Sequence, residues 1–140
     1  MASDHRNVSI ERVTNGAYIA RNVRGGQIAV GSSDGPEFTP VELLLAAIGG
    51  CTAIDVDVVT SRRAEPQAFV VDVDAEKVRD AGGNHLTDIA VTFHITFPEG
   101  EGGDAARTVL PDIVRQSHDR LCTVGRTVEL GTPIGTRLMT

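Results

Sequence analysis

The chain reads TPVELLLAAIGGCTAIDVD over residues 39–57, and this stretch carries the start signals of a helix. Thr39 fits the N-cap, Pro40 the first helical position and Glu42 the acid of a capping box. The residues that follow are apolar around almost the whole helical circumference. We therefore expect a central, buried helix that runs to about Arg62.

Small residues form one stripe along this predicted helix. At 100° per residue, Ala46, Gly49, Gly50 and Ala53 fall on the same side. Two glycines inside a helix cost roughly 1 kcal/mol each relative to alanine, so a compensating gain is expected. We predict that another segment packs closely against this stripe.

Strands are expected before the helix, in residues 5–31. Asn15 and Gly16 favour the positive φ angles of a tight hairpin after the first strand. A second strand over residues 17–23 and a third over residues 27–30 complete an antiparallel β-meander.

Two segments after the helix alternate apolar and polar residues, at 69–75 and 89–97. Turn-forming residues connect them at 80–84. A period of two is typical of a strand with one buried face, so we predict a second antiparallel pair.

The last third of the chain returns to helical periodicity over residues 104–121. Pro111 is expected to kink that helix or to restart it. Residues 127–139 contain glycine and proline and are expected to form a short final edge strand. With no repeats or linkers visible, the sequence predicts a single α+β domain over residues 1–140.

Composition argues against several classes of partner. The chain has 140 residues, a net charge of -6 and one lysine, so it lacks the clustered cations that a nucleic acid partner requires. Its longest uncharged apolar run, residues 43–54, is shorter than the roughly 20 residues that span a bilayer. No signal peptide is visible at residues 1–6, so we expect a cytoplasmic protein in which any disulfide is transient.

Cys51 and Cys122 are the only two cysteines, and each is expected within or at the end of a helix. Free cysteine is often an inert core residue, so packing and redox chemistry are both open interpretations. A metal site is disfavoured, because no CxxC or HxxxH spacing occurs and His118 with Cys122 supplies half a site at most. His118 is expected to be a solvated helical residue.

A reactive Cys51 would need a nearby cation, because only the thiolate is nucleophilic. In mid-helix it gains nothing from the positive end of the helix dipole, and Asp55 one turn later disfavours a thiolate. Arg21 and Arg24 on the preceding strands are the candidates. The alternative is that both are surface arginines of an edge strand.

Glu42 already has a structural role in the predicted capping box. On a straight helix it lies about 13 Å from Cys51 along the axis, and on the opposite face. It could therefore touch Cys51 only from a partner subunit or across a broken helix.

Two segments of the chain resemble the osmotically inducible protein C (OsmC) and organic hydroperoxide resistance (Ohr) family: PVELLLAAIGGCTAIDV over residues 40–56 and DRLCTV over residues 119–124. The resemblance in order and spacing extends over nearly the whole chain. It implies an OsmC-like fold of meander, cysteine-bearing helix, hairpin, second helix and final strand. It also implies an intertwined homodimer with active sites at the subunit interface.

The characterised peroxidases of that family imply a role for each cysteine. Cys51 would attack a hydroperoxide, and Cys122 would resolve the sulfenic acid as a disulfide. Organic hydroperoxides would be the substrates and a dithiol, of the lipoyl type in the Ohr branch, the reductant, with no metal or organic cofactor. The resemblance supports an interface role for Glu42. The family's activating arginine also lies in an N-terminal stretch, but the resemblance assigns it to neither Arg21 nor Arg24.

Two functions are carried forward from the sequence. The first is a thiol-dependent peroxidase, and the apolar surroundings of Cys51 favour an apolar hydroperoxide. The second is a non-enzymatic dimeric module that binds an apolar small molecule or senses oxidants. Val41 motivates the second, because the characterised peroxidases that the chain resembles have there the carboxylate that holds the arginine.

Overall fold

The computed structural model describes residues 2–140. The chain divides into two compact units, of which the first ends at Leu44 and the second comprises Leu45–Thr140. The elements in chain order are β1 (Val8–Thr14), β2 (Ala17–Asn22), β3 (Gln27–Gly31), α1 (Pro40–Thr60), β4 (Ala68–Asp80), β5 (Gly83–Thr96), α2 (Glu101–Gln116), a π-helical segment (Ser117–Leu121) and α3 (Thr123–Leu130). The predicted α+β class is confirmed.

The first unit contains an antiparallel sheet in the order β1-β2-β3. Thr14 pairs with Ala17 across the turn at Asn15 and Gly16, and Gly16 has a φ of 76°. That left-handed conformation is the one that glycine adopts without steric cost. The predicted β-meander is confirmed.

The start of α1 forms the predicted capping box. The Thr39 N–H donates to Glu42 Oε1 at 2.8 Å, and the Glu42 N–H donates to Thr39 Oγ1 at 3.2 Å. These reciprocal bonds satisfy two backbone donors that a helix start otherwise leaves open. The helix ends at Thr60, two residues before the expected position.

One face of α1 is buried in the second unit, and the opposite face is not. Ile48, Thr52, Val56 and Thr60 recur every fourth residue and are buried, whereas Ile54 is 66% exposed. The expectation of burial all round is therefore wrong for the single chain. An apolar pattern predicts that contact between the helix and water is unfavourable. It does not tell whether the same chain or another molecule buries a given face.

By length and composition alone, α1 could cross a membrane. It has 21 residues, and its most apolar 18-residue window reaches a mean hydropathy of 1.8 with 28% of the window buried. The core helix of a soluble protein passes the same test. The uncharged run in the sequence is shorter than α1, because Glu42 and Asp55 interrupt it, and so it did not indicate a helix of this length and hydropathy.

The β4–β5 hairpin has the predicted alternation, with Val71 opposite Phe93 in the antiparallel register. The helix α1 lies close to β4 at Gly49, where an added Cβ would be 2.6 Å from Val73 Cγ2. The same atom added at Gly50 would meet nothing within 4 Å among the described residues. Close packing on the small-residue stripe is thus confirmed for Gly49 and not for Gly50.

The helix α2 begins at Glu101 and continues through Pro111 to Gln116, so of the two expectations for Pro111, a kink or a restart, the restart is wrong. Its buried residues are Gly103, Ala106 and Ile113. A π-helical segment continues the chain to Leu121, and the Cys122 N–H donates to the Ser117 carbonyl at 2.9 Å.

The final strand predicted at residues 127–139 is also wrong. Residues Thr123–Leu130 form α3, which ends at Gly131 with a left-handed φ of 65°. The capping signals at both ends override the strand preference of Thr and Val. Residues 132–140 follow as exposed, irregular chain.

Candidate functional site

Cys122 lies where the π-helical segment ends and α3 begins. Its backbone is extended, with φ -72° and ψ 102°, and its Sγ accepts the Gly125 N–H at 3.3 Å. The residue is 4% exposed. The second cysteine therefore occupies a helix N-terminus, a position that the sequence did not predict.

Cys51, half-buried in α1, is a direct neighbour of Cys122 although the two are far apart in sequence. Burial raises the pKa of the Cys122 thiol, and the Gly125 N–H opposes this effect. A hydrogen bond with Cys51, the charge of Cys51 and the charge of Asp55 raise that pKa further. Cys122 therefore holds its proton more firmly than an ordinary thiol.

A buried chain of hydrogen bonds joins α1 to the π-helical segment. Ser117 Oγ donates to Asp55 Oδ2 at 2.8 Å and lies 2.7 Å from Thr52 Oγ1. Because the single Ser117 proton goes to the carboxylate, the Thr52 hydroxyl is the donor to Ser117. The helical periodicity of residues 104–121 includes Ser117 but gave no sign of these partners.

A pocket of about 600 Å³ opens beside Cys122. Its apolar wall comes from α1, β5 and the C-terminal helices and includes Ile48, Ile89, Val91, Phe93, Val114 and Val128. Thr52 and Cys122 also line it. Pockets of this size and lining are typical of sites for small apolar ligands.

Charged side chains lie on the exposed side of this pocket. His118 Nδ1 is 2.9 Å from Asp119 Oδ1, and its Nε2 is 3.2 Å from Glu129 Oε1. The Asp119 hydrogen bond and the charge of Glu129 raise the pKa of His118, against a small opposing effect of burial. Arg115 also lines the pocket and pairs with Asp112. Within residues 2–140, no three His, Cys, Asp or Glu side chains form a group that could hold a metal ion.

The remaining predicted site residues lie in the first unit and have local partners there. Arg21 forms an ion pair with Glu11 at 2.8 Å across β1 and β2. The Arg24 N–H donates to Asn22 Oδ1 at 3.0 Å in the turn before β3. Glu42 holds the capping box.

Comparisons with known proteins agree on a family and a fold. The sequence profile of the OsmC-like protein family matches residues 31–137. An uncharacterized protein of Mycobacterium tuberculosis is 32% identical over 127 residues, which cover 89% of this chain and 90% of the relative.

Two solved structures illustrate the likeness of fold. An OsmC-like protein of unknown function from Vibrio cholerae superimposes with a TM-score of 0.72 at 13% identity, over 91% of this chain and 95% of that one. An organic hydroperoxide resistance protein from Legionella pneumophila gives 0.59 at 12% identity, over 91% of each chain.

Proposed function

This chain belongs to the OsmC-like protein family, and we propose that it is a thiol-dependent peroxidase that reduces organic hydroperoxides. The observation that carries the proposal is the contact between Cys51 and Cys122 beside an apolar pocket. Two neighbouring thiols can give up two electrons and two protons and form a disulfide.

The reaction runs in three steps. The Cys51 thiolate attacks the terminal oxygen of the hydroperoxide, the O–O bond breaks, and the alkoxide leaves as an alcohol after taking a proton. Cys122 sulfur then attacks the Cys51 sulfenic acid, the S–O bond breaks, and hydroxide leaves as water with the Cys122 proton. An external dithiol of the lipoyl type gives two electrons and two protons to restore both thiols.

The protonated state of Cys122 suits the middle step. Its raised pKa keeps the proton on the thiol until the attack, when the proton passes to the leaving hydroxide and the sulfur attacks as a thiolate. Before oxidation, the same S–H can donate a hydrogen bond to a Cys51 thiolate and stabilise that charge. The two cysteines are thus suited to different roles.

The pocket supports an organic substrate over hydrogen peroxide. Its wall beside Cys122 is mainly apolar, and its volume of about 600 Å³ is far larger than a peroxide molecule needs. Burial of the organic group there would supply binding energy. The Legionella protein of the same fold is an organic hydroperoxide resistance protein, which points to the same substrate class.

The proposal includes a cytoplasmic homodimer. The exposed face of α1 carries Ile54 and Val58, which are 66% and 48% exposed and which a second copy would bury. In the dimer, Arg21 or Arg24 would supply the cation for Cys51, and Glu42 of the partner subunit would hold it. The exposed ion pair of Arg21 with Glu11 contributes little and can be exchanged.

A second candidate function is a non-enzymatic module that binds an apolar small molecule. The pocket favours it, because its apolar wall does not depend on the chemistry of the cysteines. Val41, in the place of the expected carboxylate, also favours it.

Turnover separates the two candidates. We expect cumene hydroperoxide to be reduced with dihydrolipoamide as electron donor, and Cys51→Ser to abolish this activity. The matched control, Thr60→Ser, keeps a buried hydroxyl on the same helix face and should leave the activity unchanged. Equal turnover by Cys51→Ser and the native chain would refute the peroxidase.

A further inference from the structure

Ser117 contacts the segments of both cysteines. It is fully buried, and its hydroxyl bonds to Thr52 and Asp55 of α1. Its carbonyl accepts the backbone N–H of Cys122 at 2.9 Å. One residue therefore joins the helix of Cys51 to the backbone of Cys122.

The contacts on α1 lie next to Cys51. Thr52 follows it directly, and Asp55 is one helical turn further along. The bond to Asp55 has a charged acceptor, which makes it shorter and stronger than a bond between neutral groups. A shift of Ser117 relative to α1 would break both side-chain bonds in a buried environment, where unpaired polar groups are costly.

The backbone around Ser117 is unusual in the same place. Residues Ser117–Leu121 form a π-helical segment, a rare feature that is found mostly as single turns and frequently at functional sites. The wider turn is closed by the bond between the Ser117 carbonyl and the Cys122 N–H. The side chain of Ser117 thus fixes one end of the turn on α1, and Cys122 stands at the other end.

We propose that Ser117 is a positioning residue, whose bonds to Thr52 and Asp55 hold Cys122 Sγ against Cys51 Sγ for disulfide formation. Disulfides accept a narrow range of Cα and Cβ separations, so a fixed placement raises the effective concentration of one thiol at the other. The inference rests on the proposed function only in requiring that the two thiols react with each other. It does not require a peroxide.

The test measures the equilibrium between the reduced protein and the cyclic disulfide of dithiothreitol. Cys51 and Cys122 give up two protons and two electrons, an S–S bond forms in the protein, and dithiothreitol is released as its dithiol. We expect Ser117→Ala to lower the effective concentration about tenfold or more, because a bond to a charged acceptor is lost. Thr60→Val removes another fully buried hydroxyl of α1 and should change it less than about twofold.

Two variants of Asp55 keep the test decisive if Ser117→Ala fails to fold. Asp55→Asn retains an oxygen acceptor for Ser117, so its effective concentration should stay within about threefold of the native value. In Asp55→Leu the acceptor is lost, and the effective concentration should fall about tenfold or more. A general loss of structure would not separate the two. Equal effective concentrations in Asp55→Asn and Asp55→Leu would overturn the positioning role. So would an unchanged effective concentration in folded Ser117→Ala.

The outcome is independent of peroxidase activity. A native chain that forms the disulfide readily with oxidised dithiothreitol but reduces no hydroperoxide would refute the peroxidase and leave the role of Ser117 standing. A native chain that forms no Cys51–Cys122 disulfide would overturn the role of Ser117. Trapping of the Cys51 sulfenic acid with dimedone would then still show whether a hydroperoxide oxidises Cys51.

Discussion

Cys122 Sγ accepts the backbone N–H of Gly125 at 3.3 Å, so the second cysteine, and not the first, caps a helix. A helix N-terminus usually favours a thiolate. Here burial, together with the hydrogen bond and the charge interaction with Cys51 and the charge of Asp55, outweighs that effect, and the pKa of Cys122 is raised.

The raised pKa of Cys122 makes stability depend on pH on the alkaline side. The folded state holds the proton to a higher pH than the unfolded chain does, so this contribution is complete below the unfolded pKa of about 9. It is lost as pH rises through the folded value. We expect the free energy of unfolding to fall above about pH 9, as measured by urea denaturation. Cys122→Ser should flatten that fall, and an unchanged slope would contradict the prediction.

His118 makes stability depend on pH in a lower range than Cys122 does. The Asp119 hydrogen bond and Glu129 raise its pKa above the ordinary 6.5, so its stabilising effect is present below about 6.5 and is lost as pH rises through the folded value. We expect an NMR titration of the His118 ring to have a midpoint above 6.5. Glu129→Gln should lower that midpoint, because the charge of Glu129 is lost. A midpoint unaffected by Glu129→Gln would rule out the charge effect.

The two adjacent glycines of α1 should respond differently to alanine. In Gly49→Ala the new Cβ would stand 2.6 Å from Val73 Cγ2, and overpacking of that kind costs about 1–3 kcal/mol. In Gly50→Ala it meets no atom of the same chain within 4 Å, and within the single chain the helix gains about 1 kcal/mol. In thermal unfolding, Gly50→Ala should therefore have a higher Tm than Gly49→Ala. The reverse order would show that Gly50, and not Gly49, faces the closer neighbour.

The capping box allows the structural role of Glu42 to be separated from a catalytic one. Thr39→Ala should destabilise the protein by about 1 kcal/mol, because the Glu42 N–H loses its acceptor. Glu42→Gln keeps an oxygen for the Thr39 N–H and should cost little in urea denaturation. If turnover of cumene hydroperoxide falls at least about tenfold in Glu42→Gln, the carboxylate charge acts in the reaction. Unchanged turnover would assign Glu42 to the cap alone.

Local signals explain which parts of the fold were predictable. The start of α1 depends on Thr39, Pro40 and Glu42, which are neighbours in sequence, and the hairpins depend on turn residues and alternation. Residues 127–139 were mistaken for a strand, because Gly131 was interpreted as part of an edge strand and not as the cap that ends a helix. The helix α3 depends on a thiol that accepts a backbone N–H, which is an uncommon cap.

The candidate site was less predictable because its contacts join distant parts of the chain. Periodicity identified Cys51 and Cys122 only as helical residues, and the resemblance alone suggested a pair. The bond between Ser117 and Asp55 has no sequence signal, since a serine on a helix face is usually solvated. The exposed face of α1 was not predictable for a similar reason, because hydropathy does not tell whether a face is buried by the same chain or by another molecule.

The central claim is that Cys51 and Cys122 act together on an organic hydroperoxide. Mass spectrometry after one equivalent of cumene hydroperoxide tests it most directly, with rapid quenching and alkylation of free thiols. We predict loss of both thiols into one Cys51–Cys122 disulfide and full recovery after dihydrolipoamide. Slow oxidation, or two cysteines that remain alkylatable while the hydroperoxide persists, would contradict the account.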